Sequence, residues 1–210
     1  GLTLLSLRSK TQSKPLLGAL YVKESKISPV AHLLISWPVS YALFKDTTKR
    51  ERIILSVSGL SPDIDGFGLV VDFSTKILGV STNYWSHFHH NLHSLPFGIF
   101  VAVISMFFAK GRRVLIGCGS LLLFHIHLLC DLVGSKGSNG YQWPIPYLSP
   151  LHSGVNLSVS WQWELNAWQN ILIAFIFSAI NYSLIKIKRE SPFELVSSRI
   201  NNVVVSLVKR

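Results

Sequence analysis

The side chains of this chain that can do chemistry are imidazoles and carboxylates set inside apolar sequence. His32 stands in the run 27–44, and Asp63 and Asp65 interrupt the next run as Pro62-Asp63-Ile64-Asp65. His89, His90 and His93 lead into a third run, His127 and Asp131 lie within a fourth, and Glu164 opens a fifth. Ionisable groups in apolar spans are expensive and mark function by default. His127 and Asp131 are four residues apart, as are His89 and His93, so each pair shares a helix face. Asp63 and Asp65 follow a proline, and in extended backbone residues two apart point the same way. Imidazole with carboxylate suits zinc, and also manganese or iron, and a carboxylate can bridge two ions. Cys118 and Cys130 do not belong to the set, which excludes a thiolate structural-zinc site. One histidine in an apolar helix is more often a hydrogen-bonded contact than a ligand. Five segments each supplying such a group call for a common cause.

The elements that position these groups read as membrane spans. The 210 residues are 49% hydrophobic and only 14% charged, with a mean hydropathy of +0.38, against about 25% charged in a soluble domain. The net charge of +10 comes from 20 Lys and Arg against 10 Asp and Glu. The basic residues sit in short clusters between apolar runs, which is membrane-protein patterning and not a nucleic-acid footprint. The pattern predicts an all-α, integral membrane helical bundle of four to five spans: 27–44, 52–71 (broken by Gly59, Pro62 and the two Asp), 92–109, 114–133 and 164–187. Residues 1–26 read as an N-terminal interfacial arm, 27–187 as the membrane-embedded domain, and 191–210 as an amphipathic surface helix. That last helix opens on Ser191-Pro192-Phe193-Glu194, a capping-box signature. It carries Phe193, Val196, Ile200, Val203, Val204 and Leu207 at helical spacing.

Measured from the basic boundaries at 1.5 Å per residue, His32 lies roughly 20 Å from Lys45, Asp63 roughly 16 Å from Arg52, and His127 and Asp131 roughly 21 and 27 Å from Arg113. His93 lies roughly 25 Å from Lys110 and Glu164 roughly 33 Å from Lys186. Antiparallel spans therefore bring all of them to the end opposite the basic loops. Of the 20 Lys and Arg, 13 fall in the loops after the first and third spans and in the tail. The positive-inside rule places that end in the cytoplasm and the His/Asp end outside. Trp143, Trp161, Trp163, Trp168, Tyr141 and Tyr147 crowd the outer loop as an interfacial aromatic belt. His125, two positions from His127, faces away and reads as structural. His87 and His152 read as solvated loop residues, and Asp72 as an exposed residue at a span's end.

Six motifs in order resemble a family, the LexA-regulated, membrane-bound metal-dependent hydrolases: His32, Pro62-Asp63-Ile64-Asp65, His89-His90-Asn91-Leu92-His93-Ser94, His127-Leu128-Leu129-Cys130-Asp131, Trp143-Pro144 and Glu164. The resemblance covers about residues 28–187. The third motif departs from it: Phe88 and His89 stand where the family commonly has His and Arg, and Leu92 replaces Thr. Which of His87, His89 and His90 is a ligand stays open. The family is distantly similar to zinc-dependent phospholipase C and single-strand nuclease enzymes, which implies phosphoester hydrolysis.

The expectation is a hydrolase of the bacterial inner membrane, multi-pass, with a divalent metal, zinc foremost, held by His32, Asp63, Asp65, His89, His90, His93, His127 and Asp131. The ion would lower the pKa of bound water and polarise a phosphoryl or carbonyl oxygen, with Asp65 or Glu164 as general base. The implied partners are membrane lipid, divalent ions and an amphiphilic, lipid-like phosphoester, with no nucleic acid. The alternative is a metal-ion transporter or metal-binding membrane module, since the same residue types mark ion pathways. Against it stand the absence of an internal repeat and the apolar halves of the last three spans near the basic loops.

Overall fold

The structure, a computed structural model, describes residues 29–44, 46–80, 82, 84, 91–137, 140–152 and 154–208, with Pro29 and Leu69 by their backbone alone. The N-terminal arm and His87, His89 and His90 lie outside the described residues. Within them the chain is all-helical. Helices α1 (Pro29–Leu43), α2 (Lys49–Leu60), α3 (Gly68–Ile77), α4 (Leu95–Phe108), α5 (Arg113–Gly134), α6 (Trp168–Lys188) and α7 (Ser198–Val208) follow one another. A 3-10 turn, Ser61–Phe67, joins α2 to α3, and another, Pro192–Leu195, precedes α7.

Three stretches are long and apolar enough to cross a membrane: Lys49–Ile77, Arg113–Gly134 and Trp168–Lys188. Helices α1 and α4 have 15 and 14 residues, about 22 and 21 Å, against a hydrocarbon core of about 30 Å. Helix α2 starts at a capping box in which the Thr48 hydroxyl accepts the Glu51 N–H and the Glu51 carboxylate accepts the Thr48 N–H. It stops where Pro62, which has no N–H to give, enters the chain. Helix α5 is the axis of the bundle and packs on α1, α2 and α4. Small residues let the helices close. A Cβ on Gly59 would stand 2.1 Å from Ser36 Oγ, and one on Gly119 would stand 2.6 Å from the Phe44 ring. Phe44, Leu55, Ile116 and Leu123 fill the middle of the bundle. Ser58 and Ser105 meet at 3.2 Å between α2 and α4, and Asn181 Nδ2 donates to the Leu34 carbonyl at 2.7 Å to fasten α6 onto α1. Ile185 is buried too, while much of the rest of α6, including Ile171, Phe175 and Ile180, is exposed. Such a belt belongs against lipid.

The basic loops meet at one end. Arg50 Nε donates to the Phe108 carbonyl, Arg112 Nη2 to the Asp46 carbonyl and Lys49 Nζ to Ser198 Oγ. Buried Arg52 Nη2 lies 2.6 Å from Glu190 Oε2 and 3.3 Å from Glu194 Oε2. Trp37 Nε1 donates to Glu194 at 3.0 Å, and the Tyr41 hydroxyl donates to Glu190. This network corrects the expected capping box: Glu194 turns to Arg52 and Trp37 instead of to Ser191. The Ser191 N–H and hydroxyl both donate to Asn201 Oδ1, at 2.8 and 2.9 Å. Helix α7 buries Asn201 and Val205, leaving Ile200, Val203 and Leu207 exposed, as is Val196 just ahead of it. Its apolar stripe is thus uncovered among the described residues, as an interfacial helix requires.

At the opposite end the loop between α5 and α6 folds over the bundle. Ile145 is buried against Phe124 and Leu128, the Leu95 N–H donates to the Tyr147 carbonyl, and the Trp163 N–H donates to the Val133 carbonyl. The fifth apolar run is helical only from Trp168. Glu164 sits in a turn, its carbonyl accepting the Ala167 N–H, and pairs with Lys136 in an isolated parallel bridge.

Candidate metal centre

Four described segments deliver their imidazoles and carboxylates to one point: the start of α1, the turn after α2, the residues entering α4, and the far half of α5. His32, His93 and His127 are each 1 to 2% exposed and Asp131 is 8% exposed. The His32 and His127 rings stack with centroids 3.7 Å apart, and His93 lies tilted at 5.3 Å from His127. Asp131 is the hub. Its Oδ1 is 3.4 Å from His32 Nε2, and its Oδ2 is 3.2 Å from His93 Nε2 and 3.1 Å from His127 Nε2. Asp63 faces the same group, with Oδ1 3.7 Å from His127 Nε2 and Oδ2 4.0 Å from His32 Nε2.

Asp65 does not accompany Asp63. The sequence suggested extended backbone with both carboxylates on one side, but residues 61–67 form a 3-10 turn. At three residues per turn, positions two apart point about 120° away from one another. Asp65 Oδ2 therefore lies behind His93, 3.4 Å from its Nδ1. A carboxylate holding the far nitrogen of an imidazole is the usual support of a metal-ligating histidine.

The hydrogen bonding fixes what this cluster lacks. His127 Nδ1 is 2.8 Å from the Gly59 carbonyl. A carbonyl only accepts, so Nδ1 carries the proton and the neutral ring turns a bare Nε2 lone pair toward Asp63 and Asp131. Lone pair then faces lone pair. His127 Nε2 and Asp63 Oδ2 are buried and make no hydrogen bond. Among the described residues no Lys or Arg forms an ion pair with these carboxylates. The gap is closed by a proton on the imidazole or by a cation between the groups, and the donor set fits a metal ion. His32, Asp63 and His127 each offer a ligand atom within 4.8 Å of the others, and so do His93, His127 and Asp131.

The other sequence-derived candidates fall elsewhere. Glu164 is exposed and takes no part in the ion pairs that join the cluster. Its expected place rested on a helix beginning there, and the helix begins four residues later. His125 bonds the Leu121 carbonyl and the Tyr147 hydroxyl, at 2.8 and 3.0 Å. His152 is exposed and accepts the Gly154 N–H. Asp72, expected to be solvated, is half-buried and accepts from Thr82 and the Tyr84 N–H. His89 and His90 lie outside the described residues.

Two contributors escaped the sequence. The Gly59 carbonyl is backbone, and a residue type does not announce which carbonyl will accept an imidazole proton. Gln162 is buried and donates Nε2 to the carbonyls of Asp131 and Leu132, both at 3.1 Å, closing the end of α5 behind the hub. Beside the cluster, an apolar cavity of about 230 Å³ opens between α1, α5 and α6. Its lining includes Ala31, Ile35, Cys130, Val133, Trp163 and Phe177.

Comparison with family models decides the membership: residues 27–208 match the model of the YdjM inner membrane protein family. The chain belongs to the YdjM inner membrane protein family. Searches of curated proteins and of solved structures return no match. The match spans every described helix, so the His/Asp cluster and the Arg52 network both lie within the part shared with the YdjM family. Family membership and the long apolar helices together make this an inner-membrane protein with a buried group of His and Asp able to hold metal.

Proposed function

We propose that this YdjM-family protein is a membrane-bound, metal-dependent hydrolase of a phosphoester in an amphiphilic, lipid-like substrate. The observation that carries the reading is the convergence of three Nε2 atoms on two carboxylates, with the His127 proton committed to Gly59 on the far side. Two roles of a hydrolytic centre follow for the chain's own residues. His32, His93, His127, Asp63 and Asp131 hold the metal, zinc foremost with manganese or iron as alternatives. Asp65 and Gly59 fix the ring orientations from behind. The metal, when bound, supplies a lowered pKa for bound water and polarisation of a phosphoryl oxygen. Asp65 contacts His93, so its role is orientation in place of general base, and exposed Glu164 is not assigned a catalytic role.

The substrate class rests on position. Helices α1, α2 and α4 all begin or break at the cluster, away from the basic end, which supports a site in one half of the bilayer. The apolar cavity alongside can take part of an acyl chain. The basic end faces the cytoplasm in this reading, by the positive-inside rule.

One observation favours transport: His32, Ser36 and Ser40 follow one face of α1 toward the basic end, and Ser56 and Ser120 are buried with hydroxyls that make no hydrogen bond. Phe44, Leu55, Ile116 and Leu123 pack the bundle at that level, which supports a closed end. The test uses protein purified in detergent and reconstituted in vesicles. Hydrolysis of a phosphodiester or phospholipid by the metal-loaded protein, abolished in His127→Ala, supports the hydrolase. Metal flux into the vesicles without hydrolysis makes it a transporter.

A further inference from the structure

We infer that the apolar cavity between α1, α5 and α6 is a slot for one acyl chain of a membrane phospholipid, held with its polar end at the level of the His/Asp cluster. The inference deepens the hydrolase reading and rests on it only for what becomes of the bound lipid. Helix α6 is joined to the bundle by two polar staples. At one end Trp163 Nε1 donates to Asn170 Oδ1, and Asn170 Nδ2 donates to the Gly134 carbonyl at the end of α5, both at 2.9 Å. At the other, Asn181 Nδ2 donates to the Leu34 carbonyl of α1 at 2.7 Å. Between the staples α6 turns half-buried Ile173, Ala174 and Phe177 inward, and there they meet the cavity. Ile35 of α1 and Cys130 and Val133 of α5 wall its other sides.

Three observations choose the occupant. In the lining only Asn170 and Trp163 carry strong hydrogen-bonding side chains, and both commit them to the staple. A buried water needs polar partners, whereas an apolar cavity of about 150 Å³ stays dry and takes a hydrocarbon; this one has about 230 Å³. The second observation is length. Asn170 and Asn181 stand about 16 Å apart along α6, and one leaflet of a hydrocarbon core about 30 Å thick is about 15 Å deep. The third is access. Ile171 belongs both to the cavity wall and to the exposed apolar belt of α6, so a chain enters sideways from lipid without crossing protein.

The neighbours of the slot set its direction. Ala31 and Cys130 line it, each one residue before a member of the cluster, His32 and Asp131. From that level the wall runs through Ile35 and Phe177 toward the basic end. A chain laid along it points its methyl end into the middle of the membrane and leaves its phosphate end beside the cluster.

The experiment uses the full chain in vesicles of phosphatidylethanolamine and phosphatidylglycerol. A trace of phosphatidylethanolamine with a diazirine near the methyl end of one acyl chain is photolysed, and mass spectrometry maps the adducts. The expected result is adducts at Ile35 and Ile173, beside those that any lipid leaves on Phe107, which is 77% exposed on α4. Ala174→Trp fills the slot and should lose the slot adducts while keeping those on Phe107. Phe177→Ala enlarges the slot and should raise them, which decides the matter alone if Ala174→Trp fails to insert. Adducts confined to exposed Phe107 and Phe175 in the parent protein overturn the inference, the slot then being shut in the bilayer or filled by residues 1–28. Slot adducts that persist in Ala174→Trp, with helical circular dichroism unchanged, also overturn it, as does the absence of any rise in Phe177→Ala. Slot adducts in a protein inert toward phosphoesters uphold the slot and remove the hydrolase. Hydrolysis without slot adducts does the reverse.

Discussion

Charge is buried at both ends of this bundle. At the basic end Arg52 lies between Glu190 and Glu194, with Trp37 and Tyr41 donating to the same carboxylates, so the positive charge and the acceptors are all supplied by the chain. At the other end Asp63, Asp65 and Asp131 meet three imidazoles, and at least one of these offers a lone pair where a donor is needed. The first cluster is complete and pins the C-terminal segment to α1 and α2. The second, among the described residues, sets the bare Nε2 of His127 against carboxylate oxygen. Burial alone does not separate a structural network from a functional one. The balance of donors, acceptors and charge does.

The comparison breaks or sharpens under five tests. The largest effect is expected from His127→Ala, which should remove metal and abolish hydrolysis while leaving the Arg52 end intact; metal analysis and a phosphodiester assay read it. Arg52→Met leaves buried Glu194 and half-buried Glu190 without their cation and should cost about 3–5 kcal/mol, lowering the melting temperature in detergent equally with and without a chelator. A dependence on the chelator would mean that the two ends are not independent. Asp63→Asn should change sign with occupancy. In stripped protein it removes a repelled charge and melts at an unchanged or higher temperature, whereas in loaded protein it removes a ligand and melts lower. The same sign in both states would show that Asp63 is not a ligand. Asp65→Asn, acting through His93, should weaken metal affinity about 10–100-fold with little effect on the unloaded protein. Asn181→Leu, a residue of neither cluster, sets the floor at about 0.6 kcal/mol, measured by the same melts.

The ligand-bearing segments were legible because His32, Asp63, His93, His127 and Asp131 are the wrong residues for apolar helices, and because distances from the basic boundaries put them at one level. The geometry between neighbours was not. Whether Asp63 and Asp65 share a side depends on the backbone between them, and Pro62-Asp63-Ile64-Asp65 reads equally well as extended or as a 3-10 turn. Glu164 was drawn in by the apolar run that follows it, yet α6 starts only at Trp168. The Ser191 and Glu194 spacing matched a capping box as well as Thr48 and Glu51 do. Only the second pair forms one, since the pull of Arg52 on Glu194 comes from 142 residues away in sequence and no local pattern contains it. The helical class and the basic end were plain in composition, because those follow from averages over long segments.

Gly59 joins the two scales. Its missing side chain lets α1 close on α2 at Ser36, and its carbonyl holds the proton of His127. Linkage is reciprocal: whatever presses these helices together holds the His127 ring in its ligating pose, and an occupied centre resists their separation by the same free energy. Lateral pressure in the bilayer and metal occupancy of the site, where the proposed ion binds, would then be linked, so a thinner or more crowded membrane would change the affinity for the ion.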